Sequence, residues 1–133
     1  MIFKRLYITL IIIAFSISGC ASDLYDVGIL HNKAANIKNL TKKAKGAILR
    51  QIPDDMIYRY MQERYPQDLK EFEEYSLQFK NVNGYAVILM CDKEQTKALV
   101  EDISCTGAVE GGKLFQEDIA CKFSLNIETE CSK

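Results

Sequence analysis

Four of the five cysteines in this chain of 133 residues lie in its last third, at Cys91, Cys105, Cys121 and Cys131. An even number of cysteines in an exported protein indicates a disulfide framework, which stabilises domains with a small hydrophobic core. The spacings contain no Cys-x-x-Cys pair, so they favour neither a zinc ribbon nor a thioredoxin-type redox centre. Two disulfides are therefore predicted, provided that the chain leaves the cytoplasm.

The first residues have the three parts of an export signal. Lys4-Arg5 precedes an almost wholly apolar run, Leu6–Ile17, and Ser18-Gly19 supplies the small residues that a signal peptidase needs. The apolar run is about a dozen residues long, short of the roughly 20 that span a bilayer. An uncleaved anchor and an ordinary secretory signal are the alternatives. The position of Cys20 directly after Ser18-Gly19 argues against both.

Residues Ile17-Ser18-Gly19-Cys20 resemble the lipobox of bacterial lipoproteins. The resemblance covers the first 21 residues. It implies cleavage before Cys20, a thioether-linked diacylglycerol on that cysteine and usually an N-acyl chain such as palmitate. Several chains anchor a protein firmly, because each buried methylene contributes about 0.8 kcal/mol. The class also implies that the residue after the lipidated cysteine decides to which membrane the lipoprotein is sorted. Ala21 stands where Asp would signal inner-membrane retention, which implies the outer membrane of a Gram-negative cell.

These observations divide the chain into three parts. Residues 1–19 are predicted to be a lipoprotein signal peptide, 20–29 a lipidated tether or the start of the first helix, and 30–133 a single periplasmic domain. Removing 19 of the 133 residues leaves 114, enough for one domain and not for two. The formal charge moves from −1 to −3 when Lys4 and Arg5 are lost. A bias this small does not indicate nucleic acid as a partner.

The first half of the mature chain has the apolar spacing of helices. Residues that recur three and four apart predict a long helix over residues 23–52, broken at most once, with its lysines outward. Its buried stripe is expected to contain Leu30, Ala34, Ile37, Ala44 and Ile48. Pro53 stops this helix. A second helix, capped by Asp54 or Asp55, is expected to run to about Arg64, and residues 67–74 add a turn or two. The buried side of the second helix is expected to contain Ile57, Tyr60, Met61 and Tyr65.

From Tyr75 onward the period changes from that of a helix to that of a strand. Residues 75–80 alternate, and Asn83-Gly84 suits a hairpin turn with positive φ. The apolar run Tyr85–Cys91 predicts a central strand buried on both faces. Third and fourth strands are expected at Thr96–Val100 and Ile119–Ile127, separated by a Gly-rich loop. The sequence therefore predicts an α+β fold, with N-terminal helices followed by a small antiparallel β-meander with two disulfides.

The order of the strands selects one of three disulfide pairings. If the strand ending at Cys91 runs upward, the third strand descends and leaves Cys105 at the bottom. A fourth strand that rises from Cys121 then delivers Cys131 to the top. The expected pairs are Cys91–Cys131 and Cys105–Cys121, because a disulfide requires Cα atoms about 4.4–6.8 Å apart. A kink at residues 102–104 would defeat this argument.

No stretch of the mature chain has the pattern of a catalytic or metal site, and no enzyme activity or cofactor is expected. Gly107–Lys113 fits most of a phosphate-binding P-loop, but Leu114 stands where Ser or Thr should reach a magnesium ion, so a flexible loop is preferred. His31 is the only histidine and is interpreted as an exposed helical residue. Glu101 and Asp102 should point to opposite faces of a strand. One is expected to turn or cap the chain and the other to be solvated.

A basic segment follows the lipobox, with six bases and no acid between residues 33 and 50. Its bases are Lys33, Lys38, Lys42, Lys43, Lys45 and Arg50. They could contact anionic headgroups, at about 1 kcal/mol each near the surface, or an anionic glycan or acidic partner. The alternative is a solvated helix face that balances the domain's own acidic half.

The sequence favours an envelope lipoprotein that acts as a protein-interaction or accessory subunit, broadly like small lipoproteins of secretion, conjugation or surface-exclusion systems. Its expected partners are the membrane, through Cys20, and another envelope protein. The alternative is a periplasmic ligand-blocking module such as a lysozyme inhibitor. An enzyme is the least favoured class, since function must be argued from a site and no site is visible.

Overall fold

The computed structural model describes residues 26–105, 113–115 and 117–131. The predicted signal peptide, Cys20 and residues 107–112 of the P-loop-like stretch lie outside the described residues. The helices α1 (Val27–Leu49), α2 (Asp54–Arg64) and α3 (Pro66–Lys70) come first. They are followed by β1 (Tyr75–Val82), β2 (Tyr85–Asp92), β3 (Ala98–Ile103), β4 (Lys113–Leu114) and α4 (Ile127–Glu130). This order confirms the predicted α+β fold.

α1 is one unbroken helix of 23 residues. The side chain of Asp26 caps its first turn by accepting a hydrogen bond from a backbone amide at 2.7 Å. At the other end Gln51 has a positive φ of 57°. The N–H groups of Gln51 and Ile52 donate to the carbonyls of Ile48 and Ala47. These two bonds form a Schellman motif, which closes the helix and fixes the corner that leads to α2.

The apolar stripe predicted for α1 is confirmed. Its five residues are all buried, namely Leu30, Ala34, Ile37, Ala44 and Ile48. They pack in one core with the inner face of the sheet and with α2. The expectation that the lysines of α1 point outward is wrong for Lys38, which is only 2% exposed. It is buried because an acid on the sheet receives its ammonium group.

α2 has the predicted buried side. Ile57, Tyr60 and Met61 are buried and Tyr65 is partly buried. The expected cap by Asp54 or Asp55 is wrong, because Pro53 precedes the helix and no side chain caps it. The carboxylate of Asp54 instead accepts the backbone N–H of Asn81 at 2.9 Å, which ties the start of α2 to the end of β1.

The strands form an antiparallel sheet in the order β1-β2-β3-β4. β1 and β2 meet at Asn83-Gly84, where both residues have the positive φ that the sequence predicted. β2 is buried from Ala86 to Asp92, as expected for a central strand covered on both faces. α1 packs across β2 and β3, and α2 packs on β1. The two helices therefore cover the inner face of the sheet.

A bulge in β3 decides which of its side chains point outward. Met90 pairs with Val100 but Cys91 pairs with Ala98, so Leu99 is an extra residue on β3. An extra residue reverses the alternation of side chains along a strand. Val100 therefore joins the core beneath the helices, and Ala98 faces the outer side of the sheet. The outer apolar cluster consists of Leu89, Cys91, Ala98 and Phe115.

The chain does not form the predicted fourth strand over Ile119–Ile127. The strand that pairs with β3 is β4, at Lys113–Leu114. The C-terminal segment, residues 117–131, makes one isolated bridge, between Lys97 and Ala120, and lies on the outer cluster through Ile119, Cys121 and Phe123. Its residues 119–126 alternate between partly buried and exposed. An extended segment lying on a sheet has this same period of two, which explains the error.

The two predicted disulfides are confirmed but their predicted pairing, Cys91–Cys131 and Cys105–Cys121, is wrong. The structure joins Cys91 to Cys121 and Cys105 to Cys131, with Cα–Cα distances of 5.8 and 5.5 Å. β4 is the cause, since it runs antiparallel to β3 and returns the chain to the end of the sheet where Cys91 lies. The C-terminal segment therefore starts beside Cys91 and descends to Cys105.

Candidate functional site

The basic segment 33–50 does not present one continuous surface. Three of its six bases pair with acids of the domain itself. The pairs are Lys33–Glu71, Lys38–Asp102 and Lys43–Asp68, with N–O distances of 3.4, 3.4 and 2.7 Å. For Lys33 and Lys43, which are partly exposed, the structure agrees with the alternative, a helix face that balances the domain's own acids. Lys38 departs from it, because this lysine and its acid are buried. Lys42, Lys45 and Arg50 are exposed and form no ion pair with any described residue.

Lys38 belongs to a buried polar cluster between α1 and β3. Its side chain is 3% exposed and that of Asp102 is 0% exposed. The ammonium group also donates to the carbonyl of Ile103 at 2.9 Å, and the hydroxyl of Thr41 donates to the second oxygen of Asp102 at 2.7 Å. A buried charge requires such partners. The cluster is closed to solvent and joins a helix to the sheet.

Glu101 faces the other side of β3 and is also fully buried. Its carboxylate accepts hydrogen bonds from the N–H and hydroxyl of Ser124 at 3.0 and 2.9 Å, and from the N–H of Leu125 at 3.1 Å. The prediction that Glu101 and Asp102 face opposite sides is confirmed. The expectation that one of them is solvated is wrong, because both are 0% exposed. Their donors lie 23 or more residues away in sequence, where no local pattern reveals them.

Beside Glu101 lies a groove of about 520 Å³ between the C-terminal segment and the β1–β2 hairpin. Phe123 forms one wall, and the ammonium group of Lys80 lies 5.6 Å from the centre of its ring. Glu101 is one of the residues that line the groove, and its carboxylate accepts hydrogen bonds from the backbone of Ser124 and Leu125. This arrangement holds the C-terminal segment on the sheet.

Asp92 is the other buried acid with a defined role. Its carboxylate accepts the backbone N–H groups of Thr96 and Lys97 at 2.7 and 2.9 Å, and the Thr96 hydroxyl donates to the second oxygen. Burial raises the pKa of this carboxyl. Hydrogen bonds from Lys97 and Thr96 and the charge of Lys97 outweigh that effect, so the pKa lies below its usual value of 3.8. Asp92 therefore stabilises the turn between β2 and β3 as an anion.

The corner between α1 and α2 has a different character, because its apolar groups are accessible. A groove of about 480 Å³ lies there, and we call it the Tyr60 groove. It is lined by Ile52, Pro53, Met56, Arg59, Tyr60 and Glu63. Met56 is 41% exposed, and Leu49, at the end of α1, is 75% exposed. Within the groove itself Pro53 and Met56 are exposed and Ile52 is partly buried.

Two arginines hold the ring of Tyr60. The guanidinium carbons of Arg50 and Arg64 lie 5.7 and 5.0 Å from its centre, within the range of cation–π attraction. Arg50 also donates a hydrogen bond to the Tyr60 hydroxyl. Gly46 leaves room for that hydroxyl, since a Cβ at residue 46 would lie 3.0 Å from it. The groove therefore combines an apolar floor with adjacent positive charge.

The other sequence candidates are not brought together. His31 is exposed on α1, as predicted. Lys113, the last residue of the P-loop-like stretch, begins β4. Across the described ranges, no group of three or more His, Cys, Asp or Glu side chains is placed to hold a metal ion. No helix among the same residues has both the length and the apolar content to cross a bilayer.

Comparison of the chain with protein-family models, with curated proteins and with solved structures found no match. The function must therefore be argued from the site itself.

Proposed function

We propose that this chain is a lipoprotein of the bacterial outer membrane, anchored through Cys20, whose periplasmic domain is a protein-interaction or accessory subunit. Secretion, conjugation and surface-exclusion systems use lipoproteins of this general kind. The observation that carries the proposal is the Tyr60 groove, an accessible apolar surface on a domain that begins six residues after a lipobox cysteine.

The length of the tether supports a role close to the membrane. Asp26, the cap of α1, follows Cys20 by six residues, a length of chain that spans at most about 20 Å. A lipid on Cys20 would hold the start of α1 within that distance of the headgroups. The 23 residues of α1 extend about 34 Å, so the helix leads from the tether to the Tyr60 groove at its far end.

The way in which the domain uses its buried charges also supports an accessory role. Each buried acid in the described residues accepts hydrogen bonds from the chain's own groups. Asp92 binds the turn between β2 and β3, Asp102 binds α1, and Glu101 binds the C-terminal segment. Every buried side-chain nitrogen and oxygen described by the structure has a hydrogen-bond partner. These groups hold the fold together and are not available to a partner.

The anchor is tested with two variants of the leader. Cys20→Ala should abolish incorporation of labelled palmitate and leave a soluble or uncleaved protein. Ala21→Asp is the matched control. This variant should keep the label and move the protein from outer-membrane to inner-membrane fractions, because it introduces the Asp that signals inner-membrane retention. A Cys20→Ala protein that is cleaved and still sediments with the outer membrane would refute the anchor.

A further inference from the structure

We propose that the Tyr60 groove binds an acidic peptide segment of a partner protein, with one apolar side chain of that segment seated between Ile52, Pro53 and Met56. The inference rests on the proposed interaction role and names its surface and the chemistry of its partner.

The floor of the groove suits a single large apolar side chain. Met56, Pro53 and the partly buried Ile52 line a concavity of about 480 Å³. Methionine adapts its shape to different partners and is common at binding surfaces. An apolar anchor buried in a pocket is the usual centre of a protein interface.

The rim of the groove carries positive charge that the domain does not neutralise. Arg50 and Arg64 contact the ring of Tyr60, and neither forms an ion pair with a described residue. Guanidinium groups bind carboxylates with paired hydrogen bonds. Acidic side chains flanking the apolar anchor would complement this rim.

The acids near the groove are Glu63, Asp54 and Asp55. Glu63 pairs with Arg59 across one turn of α2, at 3.2 Å. Asp54 accepts a backbone amide of β1, and Asp55 lies in the first turn of α2, where a negative charge complements the helix dipole. None of these three acids pairs with Arg50 or Arg64, so both guanidinium groups beside the Tyr60 ring remain available to carboxylates of a partner.

The corner is held in shape before any partner arrives. The Schellman bonds of Gln51 and Ile52 close α1, and Gly46 allows the hydroxyl of Tyr60 to approach α1 closely. A preorganised surface loses less conformational freedom on binding. The arrangement favours a protein segment over a lipid surface, because a concave pocket accepts a protruding side chain, and because about 34 Å of helix separates it from the tether.

The test uses a phage-displayed library of random dodecapeptides selected against the full chain, as purified from cells with whatever processing Cys20 has received. We expect the enriched peptides to share a Phe, Leu, Met or Trp flanked by Asp and Glu. Met56→Ser and Arg64→Glu should each weaken binding of a selected peptide at least about tenfold. Binding should also fall as salt is raised.

Each variant has a matched control. Ile29 is 44% exposed, close to the 41% of Met56, and lies at the opposite end of α1, so Ile29→Ser should leave binding unchanged. Lys122→Glu reverses an exposed charge on the other layer of the domain and should also have no effect. Unaltered melting temperatures would show that all four variants fold.

Three results would overturn the proposal. The first is enrichment of no peptide, or of peptides without an excess of acids. The second is binding that Met56→Ser and Arg64→Glu do not weaken. The third is loss of binding to phosphatidylglycerol vesicles in these two variants alone, which would identify the surface as a membrane contact. The first two results do not depend on lipidation, so a failed selection and a failed Cys20 test are separate findings.

Discussion

At the scale of single residues, the buried pair of Lys38 and Asp102 shows how α1 is positioned on the sheet. Bringing two opposite charges out of water costs several kcal/mol, which their mutual attraction and added hydrogen bonds offset only with good geometry. Thr41 and the carbonyl of Ile103 supply those added bonds. A sliding or rotation of α1 would leave both charges unpaired, so the cluster specifies the position of the helix.

Removing one partner of this pair should therefore be costly. Lys38→Met is expected to destabilise the domain by about 3–5 kcal/mol, because it leaves Asp102 buried without its cation. The double variant Lys38→Met/Asp102→Leu should recover much of that loss. Chemical denaturation measures both. Lys42→Met, an exposed lysine on the same helix, is the control and should change stability by at most about 0.5 kcal/mol. Equal losses for Lys38→Met and Lys42→Met would contradict the buried pair.

Asp92 should make stability depend on pH. Its folded pKa lies below the unfolded value near 3.8, so its contribution is fully present above that pH and is lost as pH falls through the folded pKa. Asp92→Asn should cost about 1–2 kcal/mol at pH 7, since it removes charge-assisted hydrogen bonds. The difference from the unchanged chain should shrink in denaturation experiments below pH 3.8. Glu94→Gln, which removes an exposed carboxylate from the same turn, is the matched control. A difference in the free energy of unfolding between Asp92→Asn and the unchanged chain that stays the same at every pH would contradict this role.

At the scale of elements, the C-terminal segment covers the outer face of the sheet without being a strand. Disulfides to Cys91 and Cys105 fix two points of it, Cys121 and Cys131. Between them the side chain of Glu101 binds the backbone at Ser124. One buried carboxylate thus satisfies amides that a neighbouring strand would otherwise have to satisfy.

Peptide mapping without reduction should recover fragments that join Cys91 to Cys121 and Cys105 to Cys131. Removing the second disulfide with Cys105→Ser/Cys131→Ser opens a 26-residue separation and should cost about 3.5 kcal/mol by the loop-closure estimate. Hydrogen exchange should then accelerate after residue 126, while the amides of β2 stay protected, because Glu101 still holds the preceding residues. A fragment that joins Cys91 to Cys131 would refute this topology.

Sequence patterns predict α1, α2 and β1 because each of them buries one face with its own period, and they predict β2 because its continuous apolar run is covered on both faces. The same reasoning failed after β3. The two residues of β4 are too few to show a period, and the alternation of residues 119–126 fits both an edge strand and a segment lying on a sheet. The error in β4 then reversed the direction of the last segment, and with it the disulfide pairing.

At the scale of the whole molecule, part of the candidate site could be predicted from the sequence. The basic segment, which contains Arg50, is identified from the sequence, but Tyr60 is assigned only to the buried side of α2 and Met56 and Arg64 are not singled out. Which bases remain unpaired depends on acids distant in sequence, such as Glu71 for Lys33 and Asp102 for Lys38. The groove itself depends on the corner at Gln51. This residue has a positive φ although it is not a glycine, so the sequence does not predict the corner.

The position of α1 has a mechanical consequence. A lipid on Cys20 and a partner in the Tyr60 groove would attach to opposite ends of this helix. Tension between them would pass along α1 and its closing turn, leaving the sheet and both disulfides outside the line of force. The weak direction would then be sliding of α1 across β2 and β3, which the pairing of Lys38 with Asp102 opposes. The domain would then resist pulling through α1 alone, and the sheet packed against this helix would carry little of the force.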